Sequence, residues 1–307
     1  MKNEIDYSFT RYLSAKRTVD DRGLNKSVWQ SLVRAVSEHG PGRLNVLEMG
    51  AGIGTMVERA LDWGLIHQAD YTAIDSVPEN IIEAEARLRR WGKKNGYSLS
   101  DEGMRSLRLT NSDHDVLVNL ETADVLEFMK RDASRRRWDL LIANAFLDLV
   151  DVPATLPDVL AMLKPGGLFY FTINFDGSTI FQPDIDPELD ARIEALYHAT
   201  MDSRITDGKL SGDSRTGRHF FQHARSAGVA VLEAGSSDWV VFPGAGGYPE
   251  DEAYFLHFIV HTMGLALSEL HELDPDHFAA WIRERHAQID SRQLVYIAHQ
   301  MDFLGRV

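Results

Sequence analysis

The sequence predicts an α/β protein built on a doubly wound, mostly parallel sheet of seven strands. Three observations support this fold class. Short apolar segments alternate with amphipathic helical segments between residues 44 and 242, which is typical of βαβ units. A turn with alternate glycines at Gly50, Gly52 and Gly54 follows the first apolar segment. The run Lys164-Pro-Gly-Gly167 separates a helix from another apolar strand, because Pro and Gly end a helix and reverse the chain.

Composition limits the function classes. The chain has 307 residues, of which 44% are hydrophobic, so it can bury a sizeable core. Its net charge of −14 argues against nucleic acid or an anionic membrane as a partner, because both would meet a repulsive field. No apolar run reaches transmembrane length, residues 1–6 are too polar for a signal peptide, and cysteine is absent. We therefore expect a cytoplasmic protein without disulfides or thiolate metal sites.

The glycine turn follows a buried strand at 45–49 and opens an amphipathic helix. Alternate glycines let the backbone approach a ligand closely, and the helix start offers unpaired N–H groups. The third glycine comes one residue earlier than in a dinucleotide-binding turn. Glu48 lies two positions before the first glycine, where its carboxylate would repel a pyrophosphate but suits a ligand with an ammonium group.

The next strands end in polar groups. The second strand, 71–75, ends in Asp75, whose carboxylate can accept hydrogen bonds from both hydroxyls of a ribose. Residues 92–112 form a polar insertion, with a hairpin expected between 106–109 and the third strand at 116–120. Asp124 follows that strand and can also cap the next helix.

The second half continues the pattern. The near-continuous apolar run 138–146 predicts a strand buried on both faces, and a fifth strand is expected at 168–174. An excursion at 176–217 contains a helix and is placed to form a lid, and 229–233 and 238–242 supply the last two strands.

We expect a single domain over residues 1–307, in three parts. Residues 1–43 form an N-terminal helical cover, and residues 44–242 form the core with its lid insertion. Residues 243–307 form a helical extension, because 254–270, 276–290 and 292–303 are interpreted as helices.

The segment 44–242 resembles the class I S-adenosylmethionine (SAM)-dependent methyltransferases, small-molecule type. The resemblance rests on the acidic residue before the G-x-G-x-G turn, the acids after strands two and three, the end of strand four and the K-P-G-G turn. It implies SAM as cofactor, with the ribose at Asp75 and the adenine amino group at Asp124. The cofactor-binding residues implied are Arg17, Glu48, Gly50, Ala51, Gly52, Gly54, Asp75, Ser76, Ala123, Asp124, Asn144, Ala145 and Phe146.

Arg17 belongs to this set because in such folds the segment before the first strand often covers the cofactor. Lys16, Arg17 or Arg22 would then meet the methionine carboxylate. The alternative is a solvated helix that packs on the sheet.

Two residues are candidates for a general base: His198 in the lid segment and Asp148 directly after the fourth strand. His257 and His261 have the i, i+4 spacing of metal ligands, but no third ligand is evident, so we expect a structural pair and no metal. The segment after strand four lacks the N-P-P-F-type tetrad of nucleic-acid amino methyltransferases, and a His–Asp metal pattern of catechol-type enzymes is not convincing.

We therefore predict a methyltransferase for a small organic acceptor, with O-methylation favoured. The alternatives are a SAM-binding protein without methyl transfer and, disfavoured by the glycine spacing, an NAD(P)-dependent oxidoreductase. We expect no nucleic-acid or membrane partner, and a homodimer remains open as the assembly state.

Overall fold

A sheet of ten strands forms the centre of the molecule, in a computed structural model that describes residues 6–38, 40, 42–132, 137–206 and 208–307. The segment 1–5, part of the expected signal-free N-terminus, lies outside the described residues. The strands are β1 (Leu44–Met49), β2 (Gln68–Asp75), β3 (Ser98–Gly103), β4 (Ser106–Thr110), β5 (Asp115–Thr122), β6 (Trp138–Asn144), β7 (Leu163–Gln182), β10 (Ala230–Ser236), β11 (Trp239–Val241) and β12 (Val295–Arg306), and β8 (Ile205–Thr206) pairs with β9 (Lys209–Leu210) in a separate hairpin.

Ten α-helices are described. They are α1 (Phe9–Gly23), α2 (Lys26–Ser37), α3 (Thr55–Asp62), α4 (Pro78–Lys94), α5 (Val125–Asp132), α6 (Val152–Ala161), α7 (Pro187–Asp202), α8 (Thr216–Ser226), α9 (Glu252–Leu267) and α10 (Pro275–Asp290). A short 3₁₀-helix at Leu147–Leu149 follows β6. Residues of α2, α3 and α4 pack with one face of the sheet, and residues of α5, α6 and α8 pack with the other, so the fold is doubly wound as predicted.

The strand order places the candidate site. The five strands β5, β2, β1, β6 and β7 are neighbours in that order and run parallel, and the order reverses between β1 and β6. Ligands of open α/β sheets bind at the carboxyl ends of the strands beside such a switch point. Met49 at the end of β1 pairs with Ala143 near the end of β6, so the loops that follow both strands leave the sheet side by side.

The expected number of seven strands is wrong, because the sheet also contains the short strands β3 and β4 at one edge and β12 in a segment expected to be helical. The predicted pairing of 106–109 with the third strand is confirmed, since β4 pairs antiparallel with β5. That hairpin is continued by β3, which pairs antiparallel with β4. The segment 238–242, expected to be the last strand of the core, contains only the short β11 on the side of β12.

The prediction of a helix at 292–303, in the C-terminal part of the extension, is also wrong. α9 and α10 are helices, but β12 is a strand that lies between β7 and β10. Alternate residues of β12 are buried (Tyr296, Ala298, Gln300 and Asp302), which is the period of a strand. Because Gln300 and Asp302 are polar but occupy inward positions, the pattern of apolar residues in the sequence does not show this alternation. A Cβ on Gly305 would lie 2.0 Å from the Phe169 ring, so the close contact of β12 with β7 needs glycine there.

β7 and β12 pair antiparallel along almost their whole length, from Leu168 opposite Arg306 to Gln182 opposite Val295. β7 thus continues well past the predicted strand end at Asn174. Helices α7 and α9 pack together, and so do α9 and α10, while α1 contacts both α9 and β11. The predicted excursion at 176–217 accordingly contains the end of β7, α7 and the β8–β9 hairpin.

Candidate cofactor and acceptor site

The glycine turn needs glycine for two reasons. Gly50, Gly52 and Gly54 have φ of +67°, +53° and +78°, a region that residues with a side chain rarely adopt. A Cβ on Gly52 would lie 3.2 Å from the Leu13 side chain of α1. The N–H of Ala51 donates to the Ile74 carbonyl at 2.9 Å, which ties the turn to the end of β2.

Asp75 at the end of β2 holds this turn in place. One carboxylate oxygen accepts the Gly52 N–H at 2.8 Å, and the other accepts the Val77 N–H at 2.9 Å and the Asn80 side-chain amide at 3.0 Å. A carboxylate offers about four lone-pair sites, so roughly one remains in this conformation. A second bond from a ribose would therefore require one of the present partners to withdraw.

Glu48 lies beneath the turn and is only 1% exposed. Its carboxylate accepts a hydrogen bond of 2.8 Å from the Tyr71 hydroxyl. Burial raises the pKa of Glu48 to about 8, against the smaller opposing effects of Tyr71 and the Arg59 charge. The Glu48 carboxyl is therefore buried below the glycine turn, where it is bonded to Tyr71.

The residues after β2 and β5 lie at the same edge. Ser76 and Asp124 are exposed, and Ala123 is half-buried, with its N–H donating to the Asp75 carbonyl at 3.0 Å. The Asp124 carboxylate accepts the N–H groups of Leu126 and Glu127, at 2.8 and 3.1 Å, and so caps α5. The capping role is therefore present, and an adenine contact stays a prediction.

The segment after β6 turns back over the glycine turn. Asn144 accepts a hydrogen bond from the Thr172 hydroxyl at 2.9 Å, and Ala145 adopts φ of +52°. The Phe146 ring then lies so close to Gly50 that a Cβ there would be 3.3 Å away. This geometry brings the end of β6 against the loop that follows β1.

The basic residues of α1 are engaged in ion pairs. Arg17 lies 3.5 Å from Glu58 of α3 and 3.7 Å from Asp21. Lys16 is buried, and its ammonium bonds both oxygens of Asp20, at 2.6 and 2.8 Å. A third cation, Arg22, bonds both oxygens of Glu252 on α9, at 2.6 and 2.8 Å. The helix is therefore fixed over the turn by charge contacts.

The two candidate bases lie in different surroundings. His198 on α7 shares a hydrogen bond of 3.0 Å with the Thr179 hydroxyl, and its ring meets the edge of Phe175. Burial lowers the pKa of His198, with Glu194 and Asp202 opposing. Among the described residues no hydrogen bond, ion pair or ring contact joins His198 to Asp148.

Asp148 lies in the 3₁₀-helix after β6, and its Oδ1 is buried without a hydrogen-bond partner among the described residues. Burial raises the pKa of this carboxyl, while a hydrogen bond from its own backbone N–H and the charges of Arg204 and Lys16 lower it. Its main-chain carbonyl accepts from Arg204 Nη1 at 3.2 Å. The unpartnered oxygen makes Asp148 the better-placed acceptor of a proton.

Three tyrosines from distant elements, Tyr12, Tyr197 and Tyr296, influence one another's ionisation, and sequence analysis named neither Tyr12 nor Tyr296 as a site residue. Besides burial, the Asp148 charge contributes to a raised pKa of Tyr12 and Tyr197, and Tyr197 contributes to that of Tyr296. They come from α1, α7 and β12, so no local pattern in the sequence could have joined them.

Comparison with known families identifies the fold. The model of a family described as a methyltransferase domain matches residues 22–235, more than half of the chain. This chain belongs to the methyltransferase-domain family. The predicted membership of the class I SAM-dependent methyltransferases is thereby confirmed. A search of curated proteins found no match.

Solved structures similar to this methyltransferase share little sequence with it. A proposed sarcosine dimethylglycine methyltransferase from Galdieria sulphuraria is 13% identical with a TM-score of 0.45, over 96% of this chain and 87% of that one. A proposed type II methyltransferase from Anaeromyxobacter dehalogenans is 17% identical with a TM-score of 0.46, over 90% and 95%. Geranyl diphosphate C-methyltransferase from Streptomyces coelicolor A3(2) is 8% identical with a TM-score of 0.41, over 90% and 75%.

The remaining candidates of the methyltransferase have structural contacts. His257 shares a hydrogen bond of 2.8 Å with His286 of α10, and His261 stacks on Tyr7. No group of three or more potential metal ligands lies together within the described part of the chain. Asn174, at the predicted end of the fifth strand, is fully buried and donates to the Met301 carbonyl at 2.9 Å.

Two cavities lie away from the glycine turn. One of about 220 Å³ is bounded by the end of β7, α7 and α10, and one of about 650 Å³ opens beside it. Asp184 and Trp281 border both cavities. No helix in the described part of this methyltransferase is long and apolar enough to cross a membrane.

Proposed function

We propose that this methyltransferase transfers a methyl group from SAM to a hydroxyl of a small organic acceptor, with Asp148 as general base. The observation that carries the proposal is the buried, unpartnered Oδ1 of Asp148 beside the switch point of the sheet. A buried carboxylate oxygen without a donor is costly, and a hydroxyl of the acceptor would supply that donor.

The residues of the turn fit the cofactor. Gly50 and Gly52 have positive φ values, and Phe146 and Leu13 approach them closely. A side chain at either glycine would therefore fill the space beside the turn. In this proposal Asp75 accepts one ribose hydroxyl, and the start of α3 offers N–H groups that no side chain caps. When bound, SAM supplies an electrophilic methyl group on a sulfonium. The chain itself supplies orientation, proximity and the exclusion of water.

The environment of Asp148 suits a base for an O–H group. Burial raises its pKa toward the range in which a carboxylate accepts a proton efficiently at neutral pH. Lys16 and Arg204 keep the ionised form accessible by lowering the same pKa. Both effects together describe a carboxylate that can take up a proton during the reaction.

Calorimetric titration tests the cofactor half of the proposal. SAM and its demethylated product S-adenosylhomocysteine should bind to the purified protein, and NAD(P) should not. Binding of NAD(P) in place of SAM would overturn the proposal in favour of an oxidoreductase.

Turnover tests the role of Asp148. The protein is incubated with SAM and a panel of small hydroxy compounds, and S-adenosylhomocysteine is quantified by mass spectrometry. Asp148→Asn should slow its formation by about a hundred- to ten-thousand-fold with unchanged SAM affinity. Asp158→Asn, on the exposed side of α6, is the matched control. SAM binding without product formation from the hydroxy compounds would instead support a binding protein that performs no transfer.

A further inference from the structure

The Asp148 carboxylate depends on its own main chain for its position. No side chain in the described part of the protein donates to it, and Oδ1 is left without a partner there. The donor that acts on the carboxylate is the backbone N–H of the same residue. A carboxylate held in this way points where its backbone directs it. The contacts of the 3₁₀-helix at Leu147–Leu149 therefore decide where the proposed base lies.

Arg204 contacts this 3₁₀-helix from residues 204–212, which contain β8 and β9 and which we call the hairpin segment. Its Nη1 donates to the Asp148 carbonyl at 3.2 Å. The main chain of Arg204 is itself tied on both sides. Its N–H donates to the Met201 carbonyl of α7 at 3.2 Å, and its carbonyl accepts the Ser211 N–H at 2.8 Å. The guanidinium thus joins α7 and the hairpin segment to the residue that carries the carboxylate.

Gly212 brings the other end of the hairpin segment against the same carbonyl. Its N–H donates to the Val150 carbonyl at 3.3 Å, and its φ is +100°. A Cβ on Gly212 would lie 3.0 Å from the Asp148 carbonyl oxygen and 3.2 Å from Arg204 Nη1. This close approach needs a residue without a side chain. Both ends of the hairpin segment therefore hold the main chain on which the carboxylate depends.

Arg204 also brings positive charge to the carboxylate. Its charge and that of Lys16 lower the pKa of Asp148, whereas burial raises it. The tyrosines whose ionisation interacts with Asp148 are Tyr12 and Tyr197, and burial raises the pKa of both, so they are neutral at neutral pH. The guanidinium thus both contacts the main chain of the base and favours its proton-accepting form.

We infer that Arg204 is a positioning residue for methyl transfer, which through the hairpin segment holds Asp148, by main-chain contact and by charge, where it deprotonates the acceptor. This inference rests on the proposed function, because it takes Asp148 as the proton acceptor. The proton of the acceptor O–H passes to the Asp148 carboxylate. The oxygen bonds to the methyl carbon, and the methyl–sulfur bond breaks with its electron pair on the sulfur. Arg204 takes part in none of these bonds.

A purely structural role of Arg204 has different consequences. If Arg204 only stabilised the hairpin segment, its replacement would lower the melting temperature and leave the titration of Asp148 unchanged in protein that folds. A positioning role predicts that the Asp148 carboxyl protonates at a higher pH after replacement, because the removed cation favoured the ionised form. The titration of this one carboxyl therefore separates the two roles.

Carbon-13 NMR of protein labelled at the aspartate carboxyl groups tests the inference without turnover. The Asp148 signal is the one that is absent from the spectrum of Asp148→Asn. In Arg204→Gln the midpoint of its titration should move to higher pH. Arg204→Lys, which keeps the charge, should restore most of the wild-type midpoint. Arg192→Gln, exposed on α7, is the control and should leave the midpoint unchanged.

Turnover tests the same contacts during the reaction, with the hydroxy compound that the wild type methylates fastest. Arg204→Gln should lower kcat by about ten- to hundredfold and move the acid limb of the pH profile to higher pH, with KM for SAM unchanged. Gly212→Ala should also lower kcat, because its methyl group would lie 3.0 Å from the Asp148 carbonyl oxygen. Gly208→Ala is the matched control, since Gly208 has φ of +76° but nothing within 4 Å of its Cβ position.

The outcomes separate the inference from the proposed function. An Asp148 midpoint that does not change in folded Arg204→Gln, or equal kcat values for Gly212→Ala and Gly208→Ala, would overturn the inference even where Asp148→Asn is inactive. Full activity of Asp148→Asn would overturn the proposed role of Asp148 itself. Circular dichroism melts report folding of each variant. Should Arg204→Gln not fold, the comparison of Gly212→Ala with Gly208→Ala decides.

Discussion

The cofactor half and the acceptor half of the site are built in different ways. The cofactor half uses the loops after β1 and β2, where main-chain groups and glycines make the contacts and Asp75 bonds the N–H of Gly52. The proposed acceptor half depends on the side chain of Asp148 and on the charges of Lys16 and Arg204 that act on it, which lie far apart in the chain.

The difference shows which kind of site a sequence can disclose. A site made by backbone conformation requires glycine at fixed spacings, and these spacings are visible as a motif. A site made by convergent side chains requires only that distant elements meet. Its residues are ordinary when they are considered one at a time.

The strongest test breaks the cofactor half alone. Gly52→Val should abolish SAM binding, because valine resists φ of +53° and its side chain would collide with Leu13, 3.2 Å from the Cβ position. Calorimetry measures the loss. Gly64→Val is the matched control, since Gly64 also has positive φ but nothing within 4 Å of its Cβ position. SAM affinity that survives in Gly52→Val would show that the turn is only structural.

A weaker perturbation removes one side chain from the same half. Asp75→Ala should weaken SAM binding by roughly 1–3 kcal/mol, the range for hydrogen bonds to a charged group. The loss includes the bonds that hold Gly52 and Val77 in place. Asp70→Ala, at the other end of β2 and paired with Arg43, should leave affinity unchanged in the same titration. Equal affinities of a folded Asp75→Ala and the wild type would refute the ribose assignment.

Glu48, in the cofactor half, should make the free energy of unfolding depend on pH. Its pKa of about 8 in the folded protein lies above the ordinary 4.5, so the folded protein binds more protons in that window and the free energy of unfolding falls as pH rises. The slope is about 1.4 kcal/mol per pH unit. Glu48→Gln should flatten the dependence measured by urea unfolding between pH 6 and 8. Glu79→Gln, exposed in the first turn of α4, should keep the wild-type slope, and an unchanged slope in Glu48→Gln would disprove the effect.

The smallest expected effect concerns His198, the other candidate for the general base in the acceptor half. His198→Asn should change the rate of product formation by only about twofold, within the ~0.5 kcal/mol typical of sites outside the chemistry. His198 bonds to Thr179, and burial favours its neutral form. A loss as large as that of Asp148→Asn, together with a shifted pH profile, would make His198 the base instead.

Much of the fold could be predicted from the sequence. The parallel core, the 106–109 hairpin and the α7 excursion followed from apolar periodicity and turn residues. β12 did not, because Gln300 and Asp302 occupy buried positions where hydrophobic residues are expected. Asp302 is tolerated there because its carboxylate accepts the N–H groups of Ile173 and Asn25, both at 2.8 Å. Such partners are far away in sequence and are visible only in the folded chain.

The sequence by itself determined the glycine turn, Asp75 at the strand end and the family to which the chain belongs, since each depends on residues that are neighbours in the chain. The tertiary structure alone decided that Glu48 is buried against Tyr71, and that Asp148 keeps a buried oxygen without a hydrogen-bond partner among the described residues while His198 bonds to Thr179. The physical reason is that burial and charge act through space. The free energy of a carboxylate depends on what surrounds it. The charges that act on Asp148 belong to Lys16 of α1 and Arg204 after α7, and they come near it only when the helices have packed on the sheet.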